Sequence, residues 1–593
     1  MCLRHRSWIL PLAIATALAT SEWRTARAAP TQTSISFSFS GGGSGSTSSF
    51  TLRGSGTISP YGQTTLYVSG ASTGGGALNV SFSVTFVDGS TVSATSTANQ
   101  AGNTFSGTAT ITSGTGNFAG VTGSFTYVMV GELSFTLTGS GTIYTVTGLQ
   151  NYYFSDLAFG GGFQTTLTYI NYGPQQVECY TSFYGDGGNP LSIPFSAGTN
   201  TNRTDFLAPG GSIHDQTVAS SGGSPIEGWA LVTCSAPVEA SLLYRYFNAS
   251  GTPLGEASVN AETASTTKFV TFAQTQTGVA YANPSATQTA SITFTVLNTA
   301  GAQLGSQTIS LGPLQHGSEN PGPTLNLSSF TGSIQITSNI PIVSLSINAE
   351  TFPVISSLPP GDLPATLPTG SQSYYFSDLA FGGTTAASYQ TTLTYINYGS
   401  TQVTCVTNFY GDNGKALQIP FSQGTIVSRT DILPPGGSIH DQTVTTPLGI
   451  TEGWAQATCS GPVQASLLYR LFESGAEVGE AGVNAETAAT TKFATFAQTQ
   501  TGVAYGNPST TQSATVTFVV LNQAGQVVGS TVQTLGPMAH TAFNVGPQVG
   551  LASFTGSLQI TSTSPIISLS LNAEAFPVFS SLPPGDLPSS TVF

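Results

Sequence analysis

The side chains that could do chemistry in this sequence are few, and most come in pairs. After residue 28 there are four cysteines (Cys179, Cys234, Cys405, Cys459) and four histidines (His214, His316, His440, His540). The cysteine pairs are spaced 55 and 54 residues apart. An even cysteine count reads as disulfides in an exported chain, here Cys179–Cys234 and Cys405–Cys459. Export is what the N-terminus predicts. Arg4 and Arg6 precede the apolar run Ile9–Thr20, and Ala26-Arg27-Ala28 offers small residues for signal peptidase, so residues 1–28 read as a signal peptide. Metal chelation is the poorer reading of the cysteines, because neither Cys-x-x-Cys nor clustered histidine accompanies them. His214-Asp215 and His440-Asp441 each follow Gly-Gly-Ser-Ile, which invites a Ser-His-Asp reading. Sequence neighbours seldom build such a triad, no nucleophile elbow is present, and turn positions are expected instead. Asp186-Gly-Gly-Asn189 and Asp412-Asn-Gly-Lys415 carry too few oxygens for calcium and read as hairpin turns. Arg203/Asp205 and Arg429/Asp431 are expected to pair, and Arg245 and Arg470 to cap strand ends. The aromatics Tyr152, Tyr184 and Trp229, with Tyr374, Tyr410 and Trp454, are candidates for an exposed sugar-stacking platform.

The elements that must position these residues are repeated. Tyr152-Tyr-Phe-Ser-Asp-Leu-Ala-Phe returns from Tyr374, Glu227-Gly-Trp229 returns as Glu452-Gly-Trp454, and Ser356-Ser-Leu-Pro-Pro-Gly-Asp returns from Ser580. The part from Tyr152 onward is therefore a duplication. Each copy divides again: Tyr169-Ile-Asn171 resembles Tyr281-Ala-Asn283, and Asn-Ala-Glu occurs at 260–262, 348–350, 484–486 and 572–574. This predicts four β-sandwich modules, 152–263, 264–352, 374–487 and 488–576. A semi-rigid Pro-rich linker, 353–370, would separate the copies, with a Pro-rich tail at 577–593. Alternation places Val177, Cys179 and Phe183 on one inward face. Residues 30–147 differ. Short alternating runs such as Leu78–Val87 are separated by glycine clusters, and Gly114–Gly123 reads as a turn between barrel strands, since no helix pattern follows it.

Two resemblances follow from these motifs. The Gly-Thr-Gly-Asn-Phe stretch at 114–118 resembles dirigent and allene-oxide-cyclase-like barrels, which implies eight strands over about a fifth of the chain. The duplicated part, with its inward cysteines and Gly-Trp-Ala segments, resembles the immunoglobulin-like or fibronectin-type repeats of bacterial extracellular proteins. The expected fold is all-β: an N-terminal β-barrel followed by tandem immunoglobulin-like sandwiches.

Composition narrows the function classes. Charged residues are 6% and hydrophobic residues 39% of the chain, and Val, Ile, Phe, Tyr and Thr alternate, so the chain is folded and its outer faces carry hydroxyls. Without residues 1–28, eight Lys and Arg face 25 Asp and Glu. That excludes a phosphate-neutralising surface and hence nucleic acid as a partner. No apolar run after the leader is long enough to span a bilayer. The barrel segment holds Arg53, Asp88 and Glu132 as its ionisable residues besides tyrosines, too few for most acid–base schemes. The expectation is a secreted or cell-surface, non-catalytic structural or adhesive protein without cofactor or metal, meeting a surface polysaccharide or protein. Carbohydrate binding through exposed Tyr and Trp is the first alternative, and an enzyme housed in the barrel the second.

Overall fold

The structure, a computed structural model, describes residues 31–593 apart from 47–48, 75–76, 88, 115–117, 119–120, 132–133, 146–148, 220–222, 359–360, 365–366, 385, 446–448, 583–584, 589–590 and 592. The expected signal peptide, residues 1–28, lies outside the described residues, as do Asp88 and Glu132.

Eight strands make the N-terminal unit: β1 Thr31–Ser46, β2 Ser49–Ser59, β3 Gly62–Gly74, β4 Ala77–Phe86, β5 Thr91–Ala101, β6 Thr104–Gly114, β7 Thr122–Val130 and β8 Ser134–Thr145. Each pairs antiparallel with its sequence neighbour, and β8 returns to β1, closing an up-and-down barrel. The period-2 pattern decides its sidedness. Phe37, Phe39, Leu52, Val68, Phe82, Tyr127, Met129 and Leu137 face in and are buried, while the alternate Ser and Thr positions face out. Inward glycines make room for the rings: a Cβ at Gly70 would overlap the Phe50 ring, and one at Gly139 would overlap Phe37. Phe118 closes one end, stacked on Phe86 at 4.2 Å and edge-on to Tyr61 at 5.0 Å. An apolar inside with a hydroxyl outside is the reverse of a lipid-facing barrel.

The rest is sheet, built twice. In copy one, a sheet ordered 202–207, 177–185, 226–234, 150–159 accompanies one ordered 212–216, 163–170, 239–247, 253–260. A second unit follows, organised by the 18-residue strand Thr331–Asn348. Its first half pairs with Thr266–Gln274 and Ala290–Asn298, and its second half with Thr277–Ala282, so one strand serves two sheets. Copy two repeats this around Thr555–Asn572.

The half-repeat seen in sequence has a physical cause. Asn171, fully buried, donates from Nδ2 to the carbonyls of Gln175, Leu207 and Ala208, and accepts from the Gly173 N–H. Asn283 does the same with Gln288, Leu311, Gly312 and Ser285. Asn397 and Asn507 repeat it in copy two. Asparagine is suited to this corner because its amide can satisfy several loop carbonyls at once.

The Pro-rich segments expected as a linker and a tail are partly built into the sheets. Val354, Ile355 and Leu358, and likewise Val578, Phe579 and Leu582, are buried. Ser356–Leu358 pairs with Ser346–Asn348, and Ser580–Ser581 with Leu571–Asn572. Extended, apolar chain adds readily to a sheet edge, and here it fills the seam between copies. Leu358 packs with Val270, Phe272, Ile396 and Leu468 from both copies, and Leu582 with Ile170 and Phe496.

That seam is reciprocal. Ser212 N–H donates to Gln523 O and Ser438 N–H to Thr299 O. His214 stacks on Phe496 at 4.2 Å, and His440 on Phe272 at 4.3 Å. Glu256 takes Arg245 on one oxygen, and on the other Asn572 and Ser580 from copy two. Glu480 takes Arg470, and in return Asn348 and Ser356 from copy one. Contacts that come in exchanged pairs are the signature of a two-fold interface, here within one chain.

Candidate functional site

Each copy carries a groove between its two sandwich units, and the two grooves are equivalent. In copy one it is about 320 Å³, lined by Asp156, Glu227, Tyr244, Asn320 and Phe352 among others. In copy two it is about 420 Å³, with Asp378, Glu452, Tyr469, Asn544 and Phe576 at the matching positions. Asp156 comes from the Tyr-Tyr-Phe-Ser-Asp strand and Glu227 from the neighbouring Glu-Gly-Trp strand, which pair antiparallel and so bring two carboxylates to one mouth. Phe352 and Phe576 stand at the rims with 54% and 58% of their surface exposed. In copy one Phe352, Tyr246 and Phe163 form a ladder of rings at 5.0 and 4.9 Å.

The electrostatics of the grooves are one-signed. Among the described residues no Lys or Arg lines either groove. Burial pushes the Asp378 carboxyl up to about 6, with His540 opposing and Glu452 adding to the rise. Burial, then Asp156 and Glu227, holds the Tyr244 hydroxyl well above its usual range. Behind each groove a buried histidine bridges two carboxylates. His316 Nδ1 lies 2.8 Å from Asp186 and Nε2 lies 3.4 Å from Asp156; His540 stands 2.8 Å from Asp412 and 3.5 Å from Asp378. Burial opposes charge on His316, yet the two aspartates prevail and raise it to about 9.

The residues singled out from the sequence fall as follows. Both disulfides form, with all four cysteines fully buried. Each joins directly opposed residues of adjacent strands in one sheet, rather than bridging two sheets as in immunoglobulin domains. Trp229 and Trp454 are 0% exposed, and Tyr152 and Tyr374 about as closed at 5% and 6%. Trp229 Nε1 donates to Leu314 O and Trp454 Nε1 to Met538 O, so both indoles fasten one sandwich unit to the next. Tyr184 and Tyr410 are partly buried and stack on those indoles at 5.0 and 4.8 Å. Tyr152 and Tyr374 hydroxyls accept the Val238 and Val463 N–H groups. An exposed platform of these six rings is therefore corrected: the Gly-Trp-Ala strand faces the neighbouring unit, and Ala282 and Val343 cover Trp229. The arginine pairs form as expected, and Arg203 and Arg429 each gain a second carboxylate, Asp215 and Asp441. His214 and His440 sit in strands and not in turns.

The sequence reading missed the groove acids, although Asp156 and Glu227 stand inside the motifs that revealed the duplication. It also missed a second feature, a cleft of about 510 Å³ at the seam, lined by Glu239, Glu262, Asp362, Glu486 and Asp586. Burial, with Asp586 adding, pushes Glu239 up to about 8. Burial raises Asp362 and Asp586 to about 6, and Glu262 and Glu486 well above the ordinary carboxylate range. At the position equivalent to Glu239 copy two has Gln464, the neutral isostere of a protonated glutamate.

Among the described residues no group of three or more His, Cys, Asp and Glu is arranged to hold a metal ion, and no helix is long and apolar enough to cross a membrane. The barrel cavity is lined by apolar side chains and Tyr61. Comparison with protein families, with characterised proteins and with solved structures finds no match to this chain.

Proposed function

We propose that this is an exported, non-catalytic structural or adhesive protein whose duplicated body presents two equivalent grooves to one partner. The observation that carries this reading is the reciprocal seam: two copies of one groove are held at a fixed separation by contacts made twice. A rigid body with two equal sites engages a repetitive partner by raising the effective concentration of the second site once the first is filled. Disulfides within two sandwich units suit an oxidising compartment. In this reading the barrel is a folded spacer or cap, because its interior offers packing and not acid–base groups.

The test is retention of the purified full-length protein on cell-surface or matrix preparations. Phe352→Ala with Phe576→Ala is expected to release it while each single variant retains it partly. Equal retention of wild type and double variant would remove the grooves from the function. Carbohydrate recognition stays as the second reading only in a form that uses the exposed Phe352 and Phe576 rims, and a neutral glycan that competes for retention would select it.

A further inference from the structure

We infer that the grooves are receptors for cationic side chains, lysine or arginine, carried on an extended polypeptide partner. The inference rests on the two-groove reading above and names its ligand.

The balance of donors and acceptors in the grooves selects the ligand. Of the polar side chains the two grooves share, Asp156/Asp378 and Glu227/Glu452 are acceptors only when ionised. Most of the shared donors are committed elsewhere. Tyr244 and Tyr469 hydroxyls donate to the backbone carbonyls of Asp156 and Asp378, at 2.7 and 2.6 Å. Asn320 and Asn544 Nδ2 donate to Gln276 and Gln500, at 3.1 and 3.4 Å. Ser318, whose hydroxyl donates to Glu227 in copy one, becomes Ala542 in copy two. A ligand that only donates, an ammonium or a guanidinium, matches such a site. A sugar hydroxyl needs donors in return, and the shared side chains keep for it the second N–H of Asn320 or Asn544 against two carboxylates.

Charge and shape agree. The histidine behind each carboxylate pair is shared with the loop aspartate, Asp186 or Asp412. Arg203, Arg245, Arg429 and Arg470 are all spent on internal carboxylates. Phe352 and Phe576 at the mouths give a flat face on which a guanidinium or ammonium rests while its charge reaches the acids. The protein's formal net charge of −14 favours a basic partner before contact.

Calorimetric titration of the full-length protein with a hepta-arginine peptide, a hepta-glutamine peptide and a neutral cello-oligosaccharide tests this. The basic peptide alone is expected to bind, about tenfold more weakly on moving from about 0.05 to 0.5 M salt. Glu227→Gln with Glu452→Gln should weaken it about tenfold, and Phe352→Ala with Phe576→Ala about fivefold. Glu178→Gln, a carboxylate outside both grooves, should leave affinity within about twofold. Unchanged thermal unfolding of each variant shows that the fold is intact. Binding that survives the paired Glu→Gln change, absence of basic-peptide binding, or binding of the oligosaccharide overturns the inference. If retention still depends on Phe352 and Phe576 in any of those cases, the two-groove reading stands and only its ligand is wrong; if it does not, the reading falls as well.

Discussion

Two interfaces in this molecule use histidine in opposite states. Between the sandwich units of copy one, His316 is clamped by Asp156 and Asp186 and held protonated, with its affinity for the proton raised to about 9. Between the copies, His214 and His440 lie flat on Phe496 and Phe272. Burial, reinforced by Arg245 and Arg470, lowers them to about 4 and about 3, so they are neutral rings at ordinary pH. The difference lies in what faces the imidazole. Inside a copy the chain turns carboxylates toward it, and across the seam it turns an aromatic face and an arginine that is itself paired to Glu256 or Glu480. The within-copy joint is held by charge. The seam is held by ring packing and by two buried carboxylate hubs, beside a cleft crowded with acids.

The largest effect is expected at those hubs. Glu480→Ala leaves Arg470, Asn348 and Ser356 buried around a missing acceptor, and about 3–5 kcal/mol of stability should be lost, in keeping with removal of one member of a buried pair. Because Asn348 and Ser356 belong to the other copy, urea unfolding should turn from one transition into two. A single unaltered transition would mean that the seam does not couple the copies. Next comes the covalent staple. Cys179→Ser with Cys234→Ser opens a 55-residue loop, and about 2–4 kcal/mol should go, confined to the first sandwich unit. If the loss is equal across both copies by hydrogen exchange, the units are more tightly coupled than the comparison holds.

Much of this architecture could be read from residue order, and the part that could not has a common cause. Strand alternation around Cys179 and Phe183 reports a buried face directly, since period 2 is a local property. The asparagine corners at Asn171 and Asn283 were visible as Tyr-x-Asn repeats because each satisfies carbonyls within 37 residues of itself. The seam was not visible. Its contacts join residues up to 324 apart, as in Ser580 to Glu256, and no spacing rule reaches that far. The same gap explains Trp229: the strand pattern assigns it a face, but what covers that face is a second unit folded from residues about 85 positions later. The linker misled for a related reason. Its prolines signal extended chain, while Val354, Ile355 and Leu358 decide where that chain goes.

Two smaller predictions separate the seam from the within-copy joint by pH. The seam cleft holds Glu239, whose folded-state value of about 8 lies above its ordinary 4.5. Its contribution to stability is therefore greatest below about pH 4.5 and is lost as pH rises through about 8. Glu239→Gln, which copies Gln464 of the other half, should raise stability at pH 9 by about 1–2 kcal/mol and change little at pH 4. A uniform gain at both pH values would assign the effect to packing and not to charge.

The smallest expected effect is the histidine contrast itself, about 1 kcal/mol at each site. His316 lies above its ordinary 6.5, so its stabilisation is complete below that value and disappears as pH climbs through about 9. His214 lies below 6.5, so its contribution is present above that value and is lost as pH falls through about 4. Replacing each by glutamine should flatten opposite limbs of the stability–pH curve: the alkaline limb for His316→Gln and the acid limb for His214→Gln. The two variants must be compared over the slope and not at one pH, because each also loses ring packing that shifts the whole curve. Should both flatten the same limb, the two interfaces would not differ in the charge of their histidines, and the seam would have to be redrawn as a second ion-paired joint.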